Sequence, residues 1–202
     1  LVRHGETAWN AEGRLQGSED ISLSEEGRRQ ARLIGDRLAD TSIDVAFSSD
    51  QSRARETAQH ILEGRDVVLN PIPELRERGH GVFEGLTVRE RKDRYPEMFA
   101  ASLVKNLDFA PDGGETFRVT NLRMAGWAHD FLQNHLKETV LVVGHGGSLR
   151  GAIIAWMGFP DESTWRFMLA NCGLSIIDTY ADNAVLRLFN DISHLGGFEP
   201  ES

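Results

Sequence analysis

Two histidines in this sequence occur in the same local pattern. His4 follows the apolar residues 1–2, His145 follows the apolar residues 140–143, and a glycine comes next in both places. A neutral imidazole can attack phosphorus or bind an anion, and glycine lets the backbone approach a phosphate closely. Because the two histidines are 141 positions apart (145 minus 4), only the fold can bring them to one site.

Two arginines accompany these patterns. Arg3 stands beside His4 at the end of an apolar segment, and Arg53 comes shortly after the apolar residues 43–47. An unpaired charge in such surroundings is costly, so an anionic partner is expected. Two guanidinium groups can hold the non-bridging oxygens of one phosphoryl group and stabilise the charge of its transition state.

Apolar segments alternate with helical patterns along the chain. The predicted strands cover residues 1–2, 43–47, 67–69, 140–143, 174–177 and 185–189. The predicted helices cover residues 24–40, 51–63, 115–136 and 146–155. This order predicts a three-layer αβα fold with a largely parallel central sheet. Ligands of such folds bind at the carboxyl ends of the strands, which places the site between the strands that end at Val2 and Val143.

Composition limits the possible functions. A formal net charge of −9 argues against nucleic-acid binding, and no apolar segment approaches the length of about 20 residues that a membrane helix needs. The single cysteine, Cys172, cannot form an internal disulfide, so a cytoplasmic protein is expected. No spacing of Cys, His or Asp indicates a metal site, and no cofactor is predicted.

The chain contains no repeat or low-complexity segment that would divide it, which predicts one domain over residues 1–202. Residues 70–73 are predicted to be a turn. Residues 79–113 mix loop and helix signals and are interpreted as a flap over the sheet. Residues 1–5 resemble the end of a strand, so a few residues are expected upstream of Leu1. The protein is expected to be a monomer or a homodimer.

Four ordered segments resemble the histidine phosphatase superfamily, also called the phosphoglycerate-mutase-like family. They are residues 1–7, 48–57, 74–85 and 143–147, and together they span most of the chain. The resemblance implies a metal-independent phosphatase that forms a phosphohistidine on His4 and releases phosphate from a small phosphorylated metabolite. It also implies the fold already predicted from the strand and helix pattern.

The resemblance implies a role for each matching residue. Arg3 and Arg53 would bind the phosphate, His145 would be a second phosphate-binding imidazole, and Glu77 would be the general acid and base. A carboxyl near a bound phosphate is expected to have a raised pKa, because like charges disfavour its ionised form. Glu84 is the rival carboxylate in the same loop.

Further contacts with phosphate are expected from four more residues. The family places its phosphate contacts at positions that correspond here to Asn10, Gln16 and Gly17, although Asn10 is equally suited to a turn. Gly146 opens a helix whose N-terminus can face an anion. His80 lies close enough to Glu77 in sequence to contact the substrate. The other four histidines are expected to be structural or exposed, namely His60, His129, His135 and His194.

Two alternatives stay open. The first is a 2,3-bisphosphoglycerate-dependent phosphoglycerate mutase, because Arg78 matches the residue that follows the acid in mutases. Family mutases carry a longer, arginine-rich insertion, however, and only residues 86–112 separate the acid loop from Gly113 here. The second alternative is a phosphate-binding module without turnover, which the full set of expected catalytic residues disfavours. The identity of the leaving group is not readable from the sequence.

Overall fold

A computed structural model describes residues 1–180 and 182–196, which build a six-stranded sheet. The strands are β1 (Val2–Arg3), β2 (Val45–Ser49), β3 (Leu69–Ile72), β4 (Val140–Gly144), β5 (Leu174–Thr179) and β6 (Ala184–Asp191). Their order across the sheet is β3-β2-β4-β1-β5-β6. The first four strands of this order run parallel, and β5 runs antiparallel to both of its neighbours. The largely parallel sheet is therefore confirmed.

Helices cover both faces of the sheet. They are α1 (Ala8–Ala11), α2 (Glu25–Arg37), α3 (Ser52–Ile61), α4 (Val88–Arg94), α5 (Pro96–Ser102), α6 (Phe117–His135) and α7 (Gly146–Met157). Along β4, Leu141 and Val143 join one buried core with α2 and α3, while Val142 joins a second core with α6 and α7. Side chains alternate between the two faces of a strand. The three-layer αβα fold is confirmed.

The predicted helix starts have local causes. Ser24 precedes α2, and its hydroxyl accepts the N–H of Gly27 at 3.0 Å. Thr116 caps α6 in the same way through the N–H of Val119 at 3.1 Å. These bonds satisfy amides that have no partner inside the helix. Both helices are slightly shorter than predicted, because the sequence pattern continues beyond the last regular turn.

The prediction for β3 is wrong in its placement. Residues 67–68 precede the strand, whereas Asn70 and Pro71, which were predicted to be in a turn, lie within it. β3 is at the edge of the sheet. Proline is tolerated there because a missing N–H that faces outward costs no hydrogen bond between strands.

Residues 79–113 lie outside the sheet and contain the two short helices α4 and α5. Neither of these helices has a buried residue. The segment is attached to the body by a bridge between His80 and Gly114 and by another between Arg14 and Thr87. The segment nevertheless buries Phe83, Leu86 and Leu107, so its interpretation as a flap over the sheet stays a prediction.

The predicted domain of residues 1–202 includes residues 181 and 197–202, which lie outside the described residues. Among the helices of the described part, none combines the length and the apolar character that crossing a membrane requires.

Candidate active site

The two histidines come together because β1 and β4 are neighbours. Val2 pairs with Val143, and Arg3 pairs with Gly144, in parallel register. The N–H of His4 donates to the carbonyl of Gly144 at 2.9 Å. The imidazole rings of His4 and His145 are consequently 5.1 Å apart between centroids. The predicted pairing of these two strand ends is confirmed.

His4 is held as a neutral imidazole with one free nitrogen. Its Nδ1 lies 2.7 Å from the carbonyl oxygen of Gly5, which can only accept, so Nδ1 carries the proton. Nε2 therefore keeps its lone pair. Burial holds the pKa of His4 well below its usual value, and the charges of Arg3 and Arg53 lower it further. The ring is thus a neutral base, as nucleophilic attack requires.

His145 is fully buried, and neither ring nitrogen has a hydrogen-bond partner among the described residues. Burial lowers its pKa well below the usual value, and Arg53 adds to this effect. A buried polar atom without a partner is costly and uncommon. The arrangement is suited to a ligand that donates to or accepts from this imidazole.

Arg3 and Arg53 are anchored by backbone carbonyls. Arg3 Nη1 donates to Leu169 O at 2.6 Å, and Arg53 donates to Glu19 O and Gly17 O at 2.7 and 2.9 Å. The Nε atoms of both arginines are buried without a partner in the described part of the chain. Burial lowers the pKa of both groups, that of Arg53 to about 10, and a guanidinium group is so strong a base that it stays cationic at neutral pH. Neither forms a salt bridge in the described residues, which leaves positive charge for an anion.

Glu77 lies against the first turn of α7. The N–H of Gly147 donates to both of its carboxylate oxygens at 3.0 Å, and the N–H of Arg78 donates to Oε1 at 2.8 Å. Burial alone would raise the pKa of Glu77, but these hydrogen bonds and the nearby cations, Arg150 among them, bring it below the usual value. The raised pKa was expected for Glu77 beside a bound phosphate, so that expectation stays a prediction.

The other expected phosphate contacts have mixed roles. Gln16 is buried, and its Oε1 has no partner among the described residues. Gly17 adopts φ +61° and uses its carbonyl to hold Arg53. Asn10 Oδ1 accepts the N–H of Thr7 at 3.1 Å in the capping box of α1, so Asn10 does serve as a turn residue. Gly146 opens α7, and its carbonyl accepts from Arg150 Nε at 2.8 Å.

Comparison with known proteins identifies the family. The sequence model of the "Histidine phosphatase superfamily (branch 1)" matches residues 1–192. The chain belongs to this superfamily.

Among its relatives, phosphoserine phosphatase 1 of Hydrogenobacter thermophilus is 32% identical, and the match covers 100% of this chain and 96% of the relative. A 2,3-bisphosphoglycerate-dependent phosphoglycerate mutase of Bartonella henselae is 33% identical, with 92% and 93% covered. The crystal structure of a putative alpha-ribazole-5'-P phosphatase from Escherichia coli has a TM-score of 0.89 at 30% identity and covers 95% of this chain and 94% of that one. Both phosphatases and mutases are thus similar to this member of the superfamily.

In this histidine phosphatase fold, the rival carboxylate Glu84 has a different position from Glu77. It accepts the N–H and the hydroxyl of Ser18 at 2.9 Å, and it accepts the N–H of His80 at 2.7 Å. Glu84 therefore ties the segment that follows the acid to the loop of Gly17. Two of these bonds hold backbone N–H groups, and the third holds the Ser18 hydroxyl.

Sequence reasoning missed several residues that build the site. Gln51 accepts from Arg53 Nη2 and from the N–H of Glu77, both at 3.2 Å, and so joins the phosphate-binding and acid sides. Thr57 accepts the N–H of Gly5 at 3.0 Å. Arg150 lies half-buried on α7, with Nη1 donating to Thr164 O at 3.2 Å. In the sequence these residues look like ordinary helix positions, and only their contacts distinguish them.

Cys172 is buried, and burial raises the pKa of its thiol to about 12, so it is not a nucleophile at neutral pH. Of the remaining histidines, His129 is exposed on α6, and His135 packs against Phe47 and Phe131. Within residues 1–180 and 182–196, no three His, Cys, Asp or Glu side chains cluster in a way that could hold a metal ion.

Proposed function

We propose that this protein is a metal-independent phosphomonoester hydrolase that forms a phosphohistidine on His4. The observation that carries the proposal is the neutral His4, whose free Nε2 lies in a buried pocket with His145 and two arginines. A cationic pocket attracts a phosphoryl group, and a neutral nitrogen is the nucleophile that such a group can react with.

In the first step, His4 Nε2 attacks phosphorus while the bond between phosphorus and the ester oxygen breaks. Glu77, in its protonated form, transfers its proton to the leaving oxygen, which departs as an alcohol. The imidazole then carries the phosphoryl group on Nε2 and a proton on Nδ1. The bond from Nδ1 to the carbonyl of Gly5 stabilises the positive charge that the ring acquires.

In the second step, the Glu77 carboxylate takes a proton from water, whose oxygen attacks phosphorus as the bond to Nε2 breaks. Inorganic phosphate leaves, and His4 and protonated Glu77 are restored. Arg3, Arg53 and His145 stabilise the charge on the phosphoryl oxygens in both steps. A bound phosphate dianion would raise the pKa of Glu77 and so supply the proton that the first step needs.

The residues beside Glu77 favour a leaving group that carries its own negative charge. Arg78 and Arg150 both lie on this side, and the nearby Glu115 carboxylate is paired with Arg123 at 3.5 Å. His80 Nδ1 accepts from Arg78 Nη2 at 3.0 Å, which leaves its Nε2–H as a donor. Burial, followed by the charge of Arg78, lowers the pKa of His80 to about 3, so this donor is neutral. A carboxylate such as that of phosphoserine fits these groups.

The phosphoglycerate mutase alternative is not favoured. Its support is the relative from Bartonella and the presence of Arg78 after the acid. In this structure, however, Arg78 is engaged with Glu115 O at 2.9 Å and with the ring of Phe117 at 4.0 Å. These contacts anchor Arg78 beside Glu77, where its charge would serve the carboxylate of either kind of substrate, so this residue does not favour a mutase over a phosphatase.

The test is phosphate release by the purified protein in the presence of EDTA. Substrates are L-phosphoserine, phosphoethanolamine, 3-phosphoglycerate and alpha-ribazole 5'-phosphate, and interconversion of 3- and 2-phosphoglycerate is measured in parallel. We expect more phosphate to be released from phosphoserine than from phosphoethanolamine, which lacks the carboxylate. Interconversion of the two phosphoglycerates with little phosphate release would favour the mutase. No activity in either assay would favour a binding module without turnover.

His4→Ala should lose at least about 10³-fold in kcat and should not form the acid-labile phosphoenzyme, because the nucleophile is removed. His129→Ala, which changes an exposed histidine of α6, is the matched control and should keep wild-type kcat. Phosphate trapped on another residue, or normal turnover by His4→Ala, would contradict the mechanism.

A further inference from the structure

One loop without any group for the proposed chemistry contacts three residues of the site. This support loop, residues 169–173, connects the 3₁₀ segment Asp161–Arg166 to β5. Its Leu169 carbonyl accepts from Arg3 Nη1 at 2.6 Å, and the N–H of Cys172 donates to Arg3 O at 3.0 Å. The loop thus holds both the backbone and the side chain of Arg3.

Asn171 is the one side chain of this loop that donates hydrogen bonds into the site in the described structure. Its Nδ2 donates to the carbonyl oxygen of His4 at 2.9 Å and to Oδ1 of Asn10 at 3.4 Å. The carbonyl of His4 can only accept, so the amide nitrogen of Asn171 must face it. The hydrogen-bond partner therefore distinguishes the nitrogen of the Asn171 amide from its oxygen.

The same reasoning sets the orientation of Asn10. Its Oδ1 faces the N–H of Thr7, which can only donate, and also lies 3.1 Å from the Thr7 hydroxyl. Asn171 adds a third donor to this oxygen. The Nδ2 of Asn10 is therefore turned away from all three donors and is free to donate to a phosphoryl oxygen.

The backbone of the support loop is held in an unusual conformation. Cys172 has φ +52°, which lies in the left-handed region that residues with a side chain rarely adopt. Gly173 lies so close to Asn190 that a Cβ would be 2.2 Å from Asn190 Oδ1, which also accepts the N–H of Ala170 at 2.7 Å. The conformation therefore depends on these surrounding contacts, and it places Asn171 between His4 and Asn10.

From these contacts we infer that Asn171 is a positioning residue of the phosphoryl-transfer site. It acts through its Nδ2 donor, which holds the nucleophile His4 and keeps the amide of Asn10 oriented toward phosphate. The inference rests on the proposed function, because the group positioned is the proposed nucleophile. Asn171 itself does not contact the reacting atoms.

The experiment compares Asn171→Asp and Asn171→Ala with the wild-type protein. Asn171→Asp keeps the size and shape of the side chain but presents oxygens to two acceptors, so it loses both bonds and adds repulsion. We expect kcat/KM to fall about 10-fold in Asn171→Asp and about 5-fold in Asn171→Ala. Asn134→Asp, on the exposed side of α6, is the matched control and should leave kcat/KM unchanged.

A role in packing alone predicts the opposite order, with Asn171→Asp close to wild type and Asn171→Ala more damaged. That order, or less than a twofold loss in Asn171→Asp, would overturn the inference. A double-mutant cycle with Asn10→Ala adds a second readout. Asn171→Ala should cost less in the Asn10→Ala background than in the wild type, because one of its two bonds is already absent.

The affinity of each variant for inorganic phosphate, measured by calorimetry, tests the positioning role even if the proposed hydrolase activity is absent. If the wild type binds phosphate but hydrolyses no ester, about 5-fold weaker binding by Asn171→Asp still supports the positioning role. Equal affinities would reject it. If the wild type neither binds phosphate nor hydrolyses any ester, both proposals fail. The melting temperature of each variant shows whether it is folded. If Asn171→Asp is unfolded, Asn171→Ala and the double-mutant cycle test the positioning role instead.

Discussion

The titratable residues of the site combine neutral bases with fixed cations. Burial lowers the pKa values of His4 and His145, while Arg3 and Arg53 remain charged because an arginine guanidinium loses its proton only at very high pH. The pocket therefore keeps its positive charge without protonating His4, the proposed nucleophile. The pKa of Glu77 lies below its usual value in the protein by itself, so the acid role proposed for Glu77 depends on the charge of the substrate.

Glu77→Gln is expected to slow substrates with poor leaving groups, such as phosphoserine, far more than p-nitrophenyl phosphate. An alkoxide needs a proton to depart, whereas a nitrophenolate does not, and general acid catalysis contributes about 10²- to 10⁴-fold. Values of kcat for both substrates measure the contrast. Glu84→Gln is the comparison, because Glu84 holds the backbone of Ser18 and His80. Equal losses on both substrates in Glu77→Gln would reject the acid assignment.

Among the elements of the fold, the carboxyl ends of β1 and β4 and the N-terminus of α7 bring the groups of the candidate site together. The first turn of α7 places the N–H of Gly147 on both oxygens of Glu77. This contact requires glycine, since a Cβ at position 147 would lie 2.2 Å from Glu77 Oε1. The helix thus holds the Glu77 carboxylate through its backbone.

Gly147→Ala should therefore displace Glu77 and lower kcat for phosphoserine by roughly 10²-fold, with a smaller effect on p-nitrophenyl phosphate. The control is Gly126→Ala in the interior of α6, where a Cβ would meet nothing within 4 Å. That change should keep activity and raise the free energy of unfolding by up to about 1 kcal/mol. Unchanged phosphoserine turnover in Gly147→Ala would show that the contact is not needed.

At the scale of the whole molecule, burial of neutral histidines makes folding sensitive to acid. His4, His80 and His145 have lowered pKa values in the folded protein, and that of His80 is lowered to about 3. In the unfolded chain they bind protons near pH 6.5. Below that pH the unfolded state binds more protons than the folded state, so stability is fully present above about pH 6.5 and is lost as the pH falls toward the folded pKa values.

The free energy of unfolding should therefore fall by about 1.4 kcal/mol per pH unit for each such histidine between pH 6 and pH 5. Urea denaturation at a series of pH values measures this slope. His145→Gln should reduce the slope by the contribution of one group, whereas His129→Gln, an exposed change, should not alter it. A slope near zero in the wild type over this interval would contradict the burial of neutral imidazoles.

The layers of the fold and the main residues of the candidate site could be predicted from local sequence patterns. Alternating strand and helix patterns and the caps Ser24 and Thr116 act locally, so these elements are readable without the fold. His4, His145, Arg3 and Arg53 were readable because each lies at or just after the end of an apolar segment. The placement of β3 could not be predicted in this way. Asn70 and Pro71 indicate a turn when they are considered in isolation, but a strand at the edge of the sheet accommodates both residues.

The residues that hold the site together could be recognised only in the folded chain. Gln51, Arg150 and Asn171 contribute hydrogen bonds to partners far away in sequence, and no local pattern encodes such a contact. The same holds for the pKa of Glu77, which depends on the backbone of Gly147, 70 positions away. Electrostatic and hydrogen-bonding effects act over a few ångströms of space, so they appear only once the chain has brought these groups together.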